Sequence, residues 1–413
     1  MRGAFDGLRV ARWALAGVVV LQGCTTPATQ VAQTFLSRAD SAANRWAQQH
    51  EQPWRERHYP VVDLHGPYPR PALPDSEDVN DAIAYYKLGI LVRDSAQGLA
   101  DRAFSWAIRL EPYFPQAYYA RWELLSRDWP WRLFPDSTVH HRGDAATRAA
   151  DSLLFRAISY DPFVNEPLNF RRLTPYFSVP GRRQRDPFIN GAEAYARGDY
   201  RKALDLWAQA LRKESRALGL HIPRAYAWVR IGGPDSAVAE LSAVVDRLET
   251  IERDSLIAPY IPKERFYYAI GTLRARQNDV AAARDAYQQA LAENLGFYMV
   301  HARLAGIALT LSDTASALSS METALLIEPN DLFVRAFYGG LLAETPRLED
   351  AKRELEKVVR ADSDYALPHL YLGRAYERSG DTATARRFFT AYLARAPRSA
   401  AERKWVEARM SKP

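Results

Sequence analysis

Four stretches, FYYAIGTLRARQNDVAAARDAYQQALAENL, VHARLAGIALTLSDTASALSSMETALLIEP, RAFYGGLLAETPRLEDAKRELEKVVRADS and PHLYLGRAYERSGDTATARRFFTAYLARAP, align without gaps. Small residues recur at Gly271, Ala305, Gly339 and Gly373, 34 residues apart each time, and Ala283, Ala317, Ala351 and Ala385 keep the same interval. A bulky residue follows four later (Tyr287, Met321, Leu355, Phe389), then Ala290, Ala324, Val358 or Tyr392, and Pro329 and Pro397 close two of the units. Spacings of three and four place each set on one helix face. A fixed period of this length means stacked units, none of which buries its apolar face alone. Between the two helices of a unit lie Gly198-Asp199, Asn278-Asp279, Ser312-Asp313 and Gly380-Asp381, whose aspartates are suited to accept from the free amides of the next helix. The small residues let two antiparallel helices approach, the bulky one fills the gap, and proline ends the second helix.

This pattern resembles the tetratricopeptide repeat, a helix-turn-helix unit of the same period. The template continues upstream through Gly191, Ala203, Trp207 and Ala210, then Ala225, Ala237, Leu241 and Val244. Ala225 and Gly271 are 46 residues apart, so about 12 are inserted around IERDSLIAPYIP. Gly89, Ala100, Phe104, Ala107 and Pro112 fit with one residue missing, and Tyr118 and Trp122 pair with Ala150, Leu154, Ala157 and Pro162 once about 16 residues are set aside. The resemblance implies an all-α, right-handed solenoid of about eight units. Two fall in 78–162, with an insertion at 126–142, and six in 184–399, with an insertion at about 247–262. A connector occupies 163–183 and a capping helix 400–413.

The resemblance also assigns the first helix of each unit to a concave groove. Carried onto this sequence, the lining residues include Arg185, Phe188, Tyr195, Tyr226, Arg230, Arg265, Tyr268, Arg276, Phe333, Arg374 and Arg378. Arginine and tyrosine dominate, which suits an extended peptide or helix with acidic and aromatic groups, because guanidinium pairs bidentately with carboxylate and tyrosine offers a rigid amphipathic face. The asparagine-bearing clamp by which chaperone-binding repeats hold a terminal carboxylate is missing from these positions. A second candidate contact is the insertion carrying Trp129, Trp131 and Phe134, since loops of repeat proteins often bind. His140 and His141 are adjacent and lack further ligands, as do His58 and His65, so no metal site is expected. No GxSxG, HExxH or phosphate-binding glycine loop occurs. The expectation is a non-enzyme without cofactor that binds protein.

Residues 1–24 set three arginines, Arg2, Arg9 and Arg12, before the apolar run WALAGVVVL, then Gly23 and Cys24. That is the layout of a secretory leader, too short in its apolar part to span a bilayer. Leu21, Gly23 and Cys24 resemble the bacterial lipobox; Gln22 departs from it. The resemblance implies a leader over 1–23, cleavage before Cys24 and lipidation of its thiol, the only one in 413 residues. Two or three acyl chains make detachment from a membrane negligible. Thr25 rather than Asp favours the outer membrane over inner-membrane retention, facing the periplasm of a bacterial envelope. Residues 24–77 then hold an amphipathic segment and a tether with Pro53, Pro60, Pro67, Pro69, Pro71 and Pro74. The formal charge of +6, about +4 without the leader, is too dilute over this length to argue for nucleic acid. A rival expectation is an outer-membrane receptor that takes a small ligand between its two insertions.

Overall fold

A computed structural model of the chain describes residues 68–126, 145–164, 187–213, 218–254 and 262–411. All regular structure among them is helical. The helices are α1 (Ala82–Val92), α2 (Gln97–Leu110), α3 (Pro115–Leu125), α4 (Ala145–Tyr160), α5 (Pro187–Ala196), α6 (Tyr200–Lys213), α7 (Leu218–Arg230) and α8 (Pro234–Asp254). They continue as α9 (Lys263–Arg276), α10 (Val280–Glu293), α11 (Tyr298–Thr310), α12 (Thr314–Ile327), α13 (Leu332–Ala343), α14 (Leu348–Ala361), α15 (Ala366–Arg378), α16 (Thr382–Arg395) and α17 (Arg403–Met410). From α1/α2 to α15/α16 each odd helix packs on the next even one, giving eight pairs, and α17 lies on α16. The chain is an all-α solenoid.

Each pair closes where a small residue faces a bulky one. A Cβ at Gly373 would sit 2.4 Å from the Phe389 ring, and one at Gly191 would sit 2.5 Å from the Trp207 indole. The turns obey equally local rules. Asp279, Asp313 and Asp381 each accept from an amide three residues on, at 3.1, 2.9 and 3.0 Å. The residue before each cap has φ between 60° and 89°, a conformation glycine adopts freely at Gly380 and to which Asn278 and Ser312 are forced. Between Ala225 and Gly271 the first part of the extra length is helix: α8 runs unbroken to Asp254, so residues 247–254 extend it by about two turns. The insertion expected at about 247–262 is thus helical through Asp254.

Pairs α1/α2 and α3/α4 do not simply head the stack. They lie against the first helices of the later pairs, and their Tyr113 and Tyr160 are absorbed into one apolar core with Tyr268, Tyr298 and Phe333. Phe163 enters another core with Ala225, Leu241 and Leu273. At the far end Asn80 donates to the Ala394 carbonyl, 2.9 Å away, and the Arg398 amide donates to Asp78.

His369 on α15 carries a pH consequence. Its Nε2–H donates to the Ser363 carbonyl at 3.1 Å, whereas Nδ1 is buried without a partner. Burial holds the imidazole below its ordinary 6.5, so the unfolded chain takes up a proton first. This contribution to stability is whole above the unfolded value and declines as pH falls through it toward the lower folded one. Between about pH 7 and about pH 5.5, His369→Phe should flatten the dependence of the urea midpoint on pH. An unchanged slope would show that the ring is free to charge in place.

Candidate functional site

The face formed by the first helices of the later pairs is where the repeat pattern puts partner contacts. It is covered along its middle by the chain's own Tyr113 and residues 156–163. Tyr226 on α7 donates to the Pro162 carbonyl at 2.8 Å. Tyr268 on α9 donates to the Ser159 carbonyl, and Arg276 pairs with Asp161 at 3.0 Å. Phe333 on α13 packs on Tyr113, ring centroids 4.5 Å apart, and on Tyr160 at 5.7 Å.

Two charges anchor this contact. Asp331, the fully buried cap of α13, accepts from the Val334 amide and from the Tyr298 hydroxyl, each at 3.0 Å. Across the seam it pairs with Arg156 and accepts from the Tyr160 hydroxyl at 3.0 Å to both carboxylate oxygens. Burial, and then the Asp331 charge, push the Tyr160 and Tyr298 phenols well above their ordinary value, so both remain donors. Arg303 on α11 is 1% exposed. Its Nε donates to the Tyr268 hydroxyl at 3.0 Å, and its Nη2 to the Tyr160 carbonyl and the Tyr113 hydroxyl. Further along, Arg109 reaches Asp362 at 3.3 Å and Asp364 at 2.7 Å. Beside these pairs a cleft remains in the seam, lined by Arg109, Tyr118, Ser152, Arg156, Asn330 and Asp362.

The other anticipated groove residues sit beyond the covered stretch. Phe188 is half-buried, its carbonyl accepting from the Trp207 indole N–H at 3.2 Å, and Tyr195 is buried edge-on to Tyr200. Arg230 and Arg265 are half-buried and engaged within the chain. Arg374 pairs with Glu344 at 2.8 Å and lies over the Trp405 ring at 5.8 Å, while Arg378 donates to the Ala343 carbonyl. Arg185, Cys24, the tryptophan-bearing loop with Trp129, Trp131 and Phe134, the histidines at 58, 65, 140 and 141, and residues 255–261 lie outside the described residues. A pocket between the two insertions therefore has no described walls apart from α8. Sequence reasoning missed Arg303, Asp331 and the whole of the covering segment. Arg303 falls outside the positions assigned to the groove, and Asp331 reads from sequence as an ordinary helix cap.

Among the described residues no group of three His, Cys, Asp or Glu is placed to hold a metal ion, and no helix is long and apolar enough to cross a membrane. The site offers guanidinium, carboxylate and phenol to a polypeptide surface.

No curated protein matches the chain in sequence. Among solved structures it is similar to MamA from Desulfovibrio magneticus RS-1, at 20% identity over 43% of this chain and 93% of that one, TM-score 0.37. It is similar also to YrrB, described as a TPR protein with an unusual peptide-binding site, at 17% identity over 48% and 97%, TM-score 0.39. A third is pilF of Pseudomonas aeruginosa, at 16% identity over 54% and 96%, TM-score 0.41. A tetratricopeptide-repeat family model matches residues 268–331 and 342–400. Those residues form α9–α16, so this part of the chain consists of tetratricopeptide repeats, and the units before it share the paired packing.

Proposed function

We propose that this chain is a lipid-anchored, non-catalytic scaffold on the periplasmic side of a bacterial outer membrane, where it binds protein partners and organises an envelope complex. The tetratricopeptide-repeat fold suggests a protein-interaction scaffold. The observation that carries the reading is the stack of helix pairs, whose first helices carry arginine and tyrosine along one face, the side-chain types that anchor protein interfaces. The anchor rests on the leader and on Cys24. The lining residues Arg185, Phe188, Tyr195, Tyr226, Arg230, Arg265, Tyr268, Arg276, Phe333, Arg374 and Arg378 form the proposed partner face.

Changing Cys24 to Ala should move the protein from the membrane to the soluble fraction, because the acyl chains that make release negligible are lost. Membrane retention equal to that of the unchanged protein would refute the anchor. For the scaffold, crosslinking of the anchored protein in cells should recover protein partners, and those partners should be lost when Arg230 and Arg378 are changed together to Glu. Recovery that ignores both changes removes the face from the reading.

A further inference from the structure

The segment seated on the first-helix face reveals what that face recognises. Its contacts combine charge pairs, hydrogen bonds and buried rings, made by a helix-borne Arg156, Tyr160 one turn later, and then Asp161, Pro162 and Phe163 as the chain leaves α4. Their complements lie on three of the later pairs, α7/α8, α9/α10 and α13/α14. Arg156 and Tyr160 meet Asp331. Asp161 meets Arg276, the Pro162 carbonyl meets Tyr226, and Phe163 enters the pocket around Ala225 and Leu273. In this seam the charge pairs sit beside buried rings, Tyr113 and Tyr160 among them, and a cleft lies open next to them. The seated segment is joined to the repeats through residues 165–186, a run of 22. Because the segment is part of the same chain, a competitor from outside meets an internal rival.

We propose that the first-helix face is a recognition site for a protein segment of this chemistry. The segment is a helix end bearing arginine and, four residues on, tyrosine followed by Asp-Pro-aromatic. Residues 156–163 are its resident ligand, and a partner presenting the same groups binds by displacing them. This rests on the scaffold reading and adds to it the partner's chemistry and the need for displacement.

The test uses the full chain and a labelled synthetic peptide of residues 152–164, SLLFRAISYDPFV. Three proteins are compared: the unchanged chain; a loosened chain with Arg109→Ala and Arg156→Ala, which removes two charge anchors of the early units and leaves the first-helix residues unchanged; and the loosened chain carrying Arg276→Glu. The peptide should bind the loosened chain at least about tenfold more tightly than the unchanged one, and Arg276→Glu should reverse that gain. A peptide with Tyr160→Ala and Asp161→Lys should bind the loosened chain at least about tenfold more weakly. Equal binding of both peptides, indifference to Arg276→Glu, or no saturable binding to a loosened chain that still melts cooperatively overturns the proposal. If the loosened chain does not melt cooperatively, amide exchange of the unchanged chain decides. Excess peptide should speed exchange in residues 113–125, and no change there overturns the proposal. Failure of the peptide leaves the crosslinked partners of the scaffold in place, so the two readings fail separately.

Discussion

Asp331→Ala should cost about 3–5 kcal/mol, the range seen when one partner of a buried charge pair is removed. The carboxylate is fully buried and serves four donors: Arg156, the hydroxyls of Tyr160 and Tyr298, and the Val334 amide. Alanine leaves the Arg156 charge in a seam that was built for it, two phenols without an acceptor and α13 without its cap. Asp331→Asn keeps the cap and an acceptor but drops the charge, so it should fall between the two. Because Arg156 and Tyr160 belong to the early pairs, the loss should be read first as faster amide exchange in α3 and α4. An Asp331→Ala chain with an unchanged urea midpoint and unchanged exchange would show that the seam is held by its apolar rings alone.

Trp207→Ala should cost about 3–5 kcal/mol, the range for removing a buried aromatic side chain from a core. Its indole is fully buried, fills the space left open by Gly191 and tilts against Tyr195 at a centroid distance of 5.8 Å. Its distribution should differ from that of Asp331→Ala. A repeat contacts chiefly its neighbours, so the damage stays in α5–α8 while α13–α17 keep their protection. Exchange measured segment by segment separates the two variants. Uniform acceleration in all helices would mean that the stack unfolds only as a whole.

The pairing of helices was legible because it rests on local rules. Gly373 and Phe389, or Gly191 and Trp207, announce their contact by spacing, and Asp279, Asp313 and Asp381 announce the turns by type. The candidate face was legible only as a set of positions. Tyr226, Tyr268, Arg276 and Phe333 do lie on first helices, yet the groups that meet them come from residues 113 and 159–163. Nothing in a period of 34 residues says that an early unit will fold against a later one, because such a contact leaves no repeat in the sequence. Arg303 shows the limit well. Its one-dimensional surroundings are those of a helix surface, and only the arrival of Tyr113 and Tyr160 turns it into a buried cation held by oxygens.

The bonds from Asn80 to Ala394 and from Arg398 to Asp78 join residues 314 and 320 apart in sequence. That separation sets an order of events during synthesis. A solenoid made of neighbour contacts alone can fold as it emerges, unit by unit, whereas distant pairings slow folding and wait on the last part of the chain. At about 5–20 residues per second, the early pairs exist for tens of seconds before the helices that cover Tyr113 and Tyr160 have been made. For that interval the early units are a ligand without a receptor, and completion of the carboxyl-terminal repeats is the step that takes them out of circulation.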